Sequence, residues 1–251
     1  MKIIGIHDRK GRYHQGIWEG DHVRLVKDIL SLRGCGEISL DECIWDVPCL
    51  PSKIVAIGLN YRRHAEEMGM KIPEEPVIFL KPSSALLPHQ GTIRWPQQSD
   101  QVDYEAELAI VIGKEARCVS VSEAKNYVLG FTAFNDVTAR DLQKRDGQWT
   151  RAKGFDTFAP MGPVIDTDWW PEDGMYIRLY KNGEKCQDDT LGTMIFSVEQ
   201  IVSFVSSVMT LFPGDVIATG TPSGIGPMAE GDEVVVDIEG LHSLVNRMGK
   251  K

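Results

Sequence analysis

Long apolar runs are missing from this chain of 251 residues. No segment approaches the roughly 20 apolar residues that span a bilayer. The opening run Ile3-Ile4-Gly5-Ile6 is too short for a secretory signal. Cysteine is sparse, five residues with no Cys-x-x-Cys pair, and an odd count of this kind fits reduced thiols rather than a disulfide framework. Basic excess is missing too. Lys and Arg number 27 against 36 Asp and Glu, for a net charge of −9, which argues against a nucleic-acid surface. There is no internal repeat, no low-complexity tract and no Walker A spacing around the glycines. These absences leave a soluble, cytoplasmic protein that handles small molecules, without nucleic acid or membrane. With 42% hydrophobic residues, 6 Trp and 8 Phe, the chain can build one large core, or one large domain with a small appendage.

The most informative stretch is Asp103-Tyr104-Glu105-Ala106-Glu107-Leu108-Ala109-Ile110-Val111-Ile112. Side chains alternate across a strand, so Tyr104, Ala106, Leu108, Ile110 and Ile112 share one face. Asp103, Glu105 and Glu107 share the other, which turns apolar at Ala109 and Val111. Like charges at alternate positions of a half-buried strand repel, each raising the pKa of the next. A bound cation reverses that sign. Glu105 and Glu107, roughly 7 Å apart by the rise of a strand, can both reach one ion. Phe131 to Asp136 reads as a buried strand whose end presents a third acid, Asp136. An all-carboxylate set without Cys or His favours Mg²⁺, Mn²⁺ or Ca²⁺ over Zn²⁺. Glu-x-Glu on a solvated sheet face is the competing interpretation of the same spacing.

Around this centre, residues 2–7, 12–18 and 22–26 predict three short antiparallel strands, and the prolines of Asp46 to Ser52 mark a linker. The expected division is a small N-terminal β domain over 1–50 and a main domain over 51–251. A strand at Ile54 to Ile57 leads into a short helix closed by Gly69. There His64 and Glu67, three apart, are neighbours on one face. A carboxylate beside an imidazole orients it and favours its charged form, as a general base requires, although a plain surface ion pair has the same spacing. Ser120 and Glu123 resemble a capping box before a helix from Ala124 to Leu129, with Gly130 as its stop. Residues 144–163 form a long polar connection suited to a functional loop. Asn182-Gly183 predicts a hairpin. Ser197 to Phe212 predicts a capped helix whose apolar stripe, Val208 and Phe212 included, faces the core. Gly220-Thr221-Pro222-Ser223-Gly224 lets backbone amides approach an anion.

Five separated motifs then carry a resemblance. They are Gly58 to Tyr61 with His64 and Glu67, Asp103 to Leu108, Asn135 to Gln143, Lys153 to Pro160, and Gly220 to Gly224. In this order, over roughly residues 53 to 247, they resemble the fumarylacetoacetate hydrolase superfamily, in particular its compact bacterial members. The resemblance implies a mixed β fold with some α, a β-sandwich roll, and usually a homodimer with one divalent metal, Mg²⁺ or Mn²⁺, per site. Its metal ligands fall on Glu105, Glu107 and Asp136, and its catalytic dyad on His64 and Glu67, on a segment expected to close as a mobile lid. Lys153 is expected beside the developing oxyanion. Arg140, Gln143, Gly220 and Thr221 are expected to contact substrate, with a structural pairing of Arg140 to Asp141 or Glu67 as the competing role. The implied substrate is a small 2-oxo acid or diacid, or its enol. The implied reaction is acylpyruvate hydrolysis, oxaloacetate decarboxylation or tautomerisation, or a hydroxymuconate-type isomerisation. A metal-stabilised binder without turnover is the alternative of another class, and the His64–Glu67 pair argues against it.

Overall fold

The computed structural model describes residues 1–29 and 31–251. The chain opens with β1 (Lys2–His7), β2 (Tyr13–Glu19), β3 (His22–Val26), β4 (Gly34–Ser39) and β5 (Ile44–Asp46), then β6 (Ile54–Gly58), α1 (Arg62–Glu67) and β7 (Val77–Lys81). Two short strands, β8 (Leu86–Leu87) and β9 (Thr92–Ile93), precede β10 (Val102–Tyr104), β11 (Ala106–Ile112) and β12 (Val128–Asn135). Next come β13 (Thr138–Ala139), α2 (Arg140–Asp146), α3 (Thr150–Lys153), β14 (Ala159–Asp166), β15 (Tyr176–Lys181) and β16 (Glu184–Thr190). The chain ends with α4 (Val198–Val208), β17 (Val216–Ala218), β18 (Gly226–Pro227), β19 (Glu233–Ile238) and β20 (Leu244–Met248).

The architecture is mostly β with some helix, a sandwich roll. A sheet of 12 strands runs in the order β4-β3-β2-β1-β14-β12-β11-β17-β6-β7, with β5 and β8 as side branches. The N-terminal strands therefore continue the main sheet, because β1 pairs antiparallel with β14, Ile3 opposite Ile165. A five-stranded sheet, β16-β15-β19-β20-β9, packs over one face. The alternation along β11 decides which residues meet it. Leu108, Ile110 and Ile112 join Ile177, Leu179, Val236 and the α4 residues Ile201 and Val205 in the larger core. Ala109 and Val111 point the other way, to a second core with Phe134, Met161 and Val216. Both faces of β11 are buried, so a charge on it must be held by partners rather than by water.

Two local expectations held, a turn and a cap, whereas the capping box expected at Ser120 and Glu123 does not form, Ser120 Oγ donating instead to the Glu123 carboxylate at 2.7 Å. Asn182 and Gly183 both have positive φ, 53° and 82°, in the β15–β16 hairpin. Ser197 and Gln200 form a reciprocal capping box at the start of α4. Three further expectations are corrected. The helix expected over 124–129 is a single 3₁₀ turn at Ala124–Tyr127, and Val128 and Leu129 begin β12 instead. Cross-strand pairing of Val128 with Ile112 wins over helix propensity. Gly130 is no helix stop but a point of close approach, since a Cβ there would lie 2.4 Å from the Asp166 carbonyl oxygen. The helix expected to reach Phe212 stops at Val208. Leu211 pairs with Ala116 as a β-bridge, and Val208 and Phe212 stay exposed. Residues 144–163 are not structureless, for they contain the end of α2, all of α3 and the start of β14. Gly147, at φ 70°, lets the chain turn from one helix to the next.

Candidate active site

β11 and β12 are antiparallel neighbours, so the start of one and the end of the other meet. The backbone is stitched there by side chains as well as by the ladder. The Glu105 N–H donates to Asn135 Oδ1 at 2.9 Å, and the Asp136 N–H donates to the Glu105 carbonyl at 2.9 Å. This brings Glu105, Glu107 and Asp136 together, all buried, with a ligand oxygen of each within 4.8 Å of the others.

Each carboxylate has a different environment. Lys153, delivered by α3, donates to Glu105 Oε2 at 2.8 Å and to Asp136 Oδ2 at 2.6 Å. Arg140, at the start of α2, pairs with Glu105 and donates to Asp103 Oδ2 at 2.8 Å. Thr138 Oγ1 donates to Glu105 Oε1 at 3.0 Å. Burial alone would raise the Glu105 pKa, but Lys153 and Arg140, with His64 adding to them, hold it well below the usual carboxylate range. Glu107 differs. Among the described residues its carboxylate has one hydrogen bond, from the Gly220 N–H, 2.8 Å from Oε2, and no ion pair with a cationic side chain. Burial, and then the charges of Asp136 and Glu105, push its pKa well above normal. A buried carboxylate without a cation partner, beside two others, is the environment that a hard divalent ion relieves. The donor set therefore fits such an ion.

Lys81 was missed by sequence reasoning. It lies at the end of β7, fully buried, and donates to Asp136 Oδ1 at 2.5 Å and to the Val137 carbonyl at 3.2 Å. Its burial outweighs Asp136 and lowers its pKa, whereas for Lys153 burial is more than offset by Asp136 and Glu105 and the pKa rises. Period-2 spacing from Phe79, which faces the cavity, was the available signal. A lysine ending a strand before a proline otherwise reads as a solvent anchor.

Over the acids lies a cavity of about 190 Å³. Its floor is Glu105, Glu107, Asp136, Arg140 and Lys153, its walls include Phe79, Trp149 and Thr221, and its roof is His64, Met68 and Met70 of the α1 segment. His64 is buried, and its Nδ1 lies 3.0 Å from Glu67 Oε2. The other Glu67 oxygen accepts from the Gly224 N–H at 3.0 Å. The loop amides at Gly220 and Gly224, expected to meet a ligand anion, are thus taken by Glu107 and Glu67. Gly220 is absent from the cavity wall. Thr221 lines it, with its hydroxyl accepting from Gln187 Nε2 at 2.9 Å. Arg140 pairs with neither Asp141 nor Glu67 but with Asp103, Glu105 and, at 2.5 Å, Gln143 Oε1. Asp141 turns away to Ser99, whose hydroxyl donates to it at 2.6 Å.

Residues 53–249 match the family model described as fumarylacetoacetate hydrolase, C-terminal. A mitochondrial oxaloacetate tautomerase of Arabidopsis thaliana is 45% identical over 76% of this chain and 87% of its own. Among solved structures, a 5-carboxymethyl-2-hydroxymuconate delta-isomerase from Mycobacterium smegmatis is 39% identical, with TM-score 0.92 over all of both chains. A fumarylpyruvate hydrolase from Pseudomonas aeruginosa, in complex with Mn²⁺ and pyruvate, is 33% identical, with TM-score 0.76 over 82% of this chain and 91% of that one.

Proposed function

This chain belongs to the fumarylacetoacetate hydrolase family, the proteins similar to it include a tautomerase, an isomerase and a hydrolase, and on that premise we propose that it interconverts the keto and enol forms of a small 2-oxo acid of oxaloacetate size. The carrying observation is the shape and chemistry of the cavity. About 190 Å³ above three buried acids is smaller than the roughly 300–1,000 Å³ typical of drug-sized ligand sites. Glu105, Glu107 and Asp136 would hold Mg²⁺ or Mn²⁺. When bound, that ion supplies Lewis-acid polarisation of the 2-oxo group.

The chain's own residues do the rest. A proton on His64 Nδ1 directed at Glu67 leaves Nε2 as the free lone pair. That nitrogen takes a proton from C3 of the keto form and, as imidazolium, gives it to the 2-oxygen to complete the enol; the same transfers in reverse restore the keto form. Glu67, itself held by the Gly224 amide, stabilises the imidazolium in between. The Lys153 ammonium keeps Glu105 and Asp136 in place and lowers the energy of negative charge growing beside them. Phe79, Trp149, Met68 and Met70 shield the reacting carbon from water.

The test is deuterium incorporation at C3 of oxaloacetate, followed by proton NMR with and without Mg²⁺, together with the decay of enol absorbance. Metal-dependent acceleration of both is expected. No acceleration over buffer containing the metal would overturn the reading. A second reading, hydrolytic C–C cleavage of an acylpyruvate, is favoured by the same held imidazole, which can equally draw a proton from water, and by the similarity to a fumarylpyruvate hydrolase. Acetylpyruvate assayed in parallel separates the two.

A further inference from the structure

We propose that Lys144, together with the side-chain amide of Gln143, holds the distal carboxylate of the substrate at the cavity mouth, so that the site selects 2-oxo diacids over monoacids. The inference rests on reading the cavity as a 2-oxo acid site. Arg140, Gln143 and Lys144 are spaced i, i+3 and i+4 on α2 and therefore share a helix face. All three line the cavity. Their commitments differ. The Arg140 guanidinium is engaged by Asp103, Glu105 and Gln143 Oε1. Lys153, the other cation on the wall, bridges Glu105 and Asp136. Neither is free to take a new anion without giving up a buried carboxylate.

Gln143 uses its oxygen for Arg140, and its amide N–H₂ group, with no partner among the described residues, is left as a donor. Among the described residues Lys144 makes no hydrogen bond or ion pair. The neighbouring Arg145 has an acid partner, Asp146, at 3.7 Å. Met68 and Met70 of the roof and Trp149 of the wall are apolar. The wall thus presents one unpaired ammonium beside one amide donor, against surfaces that give a carboxylate nothing. A diacid whose 2-oxo carboxylate occupies the floor places its far carboxylate on that pair, and a monoacid leaves the pair idle. A role for Lys144 only as a cation in the last turn of α2 would slightly affect helix stability and ligand choice not at all.

The experiment uses the full-length, magnesium-loaded protein and two stable acids of equal length, 2-oxoglutarate and 2-oxopentanoate, titrated by calorimetry. The wild type is expected to bind the diacid tighter, on the order of tenfold, as suits one charge-assisted contact at a partly solvated rim. Lys144→Met should bring the two affinities together by weakening the diacid alone, and Lys144→Glu should invert the order, both with Tm nearly unchanged. Equal wild-type affinities, or a diacid preference that survives Lys144→Met, would overturn the inference. An intact Lys144-dependent preference without C3 exchange would instead bring down only the tautomerase reading. No heat with either acid would remove the 2-oxo acid reading and this inference together.

Discussion

The floor of the cavity is carried by two strands in register from Ala106 to Val111, with every residue of β11 buried. Its roof is a helix of six residues in which only His64 and Ala65 are buried. On the floor, three acids, Asp103, Glu105 and Asp136, meet Lys81, Lys153 and Arg140 in a closed set of contacts. The roof reaches the rest of the protein's polar framework chiefly through one carboxylate, Glu67, bonded to the Gly224 amide. The groups proposed to hold an ion sit on or beside a fully buried strand. The group proposed to exchange protons sits on an element with few buried apolar residues, the kind that opens locally at low cost. Loss of one of the floor carboxylates Glu105, Glu107 and Asp136 should therefore be felt in metal and turnover, and loss of a roof residue in turnover alone.

The hardest break of that contrast is Glu107→Gln. Turnover should fall by on the order of 10³ or more, since polarisation of the substrate carbonyl is lost, and metal content by direct analysis should fall with it. EDTA on the wild type should reproduce the loss, with Mg²⁺ restoring it. Folding should survive, because the change removes a buried carboxylate that has no ion pair with a cationic side chain. Unchanged turnover in EDTA would remove the floor from the mechanism.

His64→Ala tests the roof. Turnover should drop on the order of 10²-fold or more, the scale of general-base loss, while oxalate binding to the metal-loaded protein hardly changes. Glu67→Ala should act along the same pathway, so that the double variant costs far less than the product of the two. Effects that multiply would show that the pair does not work as a unit.

Lys153→Ala should lower turnover by about tenfold or more with metal content retained, which sharpens the floor into ligands and their supporting charge. Lys81→Met should act on the fold instead. It leaves the buried Asp136 with one ammonium fewer, at a cost of about 3 kcal/mol to the metal-free protein, part of which added Mg²⁺ recovers in Tm. Equal Tm for wild type and variant without metal would mean that Lys81 holds nothing. The smallest effect belongs to a place remote from both regions. Ser197→Ala removes the capping box of α4, and should cost about 1 kcal/mol with turnover untouched.

By itself the sequence determined what depends on near neighbours. Alternation placed Glu105 and Glu107 apart from Leu108 and Ile110, and the end of a buried strand placed Asp136. Spacing of three paired His64 with Glu67, and turn and cap chemistry placed the 182–183 hairpin and the start of α4. Such signals are local, because a backbone period or a cap involves residues within one or two turns of each other. Only the tertiary structure decided who accompanies the acids. Lys81 reaches Asp136 across 55 residues of chain, and the Gly220 amide reaches Glu107 across 113. The period of β7 puts Lys81 on the face of Phe79 but does not say what that face meets, and a glycine loop offers the same amides whether its partner is a ligand or the protein's own carboxylate. Leu129 and Gly130 show the same limit from the other side. Their local pattern favours a helix and its stop, but the gap between β11 and β14, too narrow at Gly130 for a Cβ, admits only a strand. A long-range partner is chosen by packing and charge balance across the whole fold, and these exist only once the strands have come together.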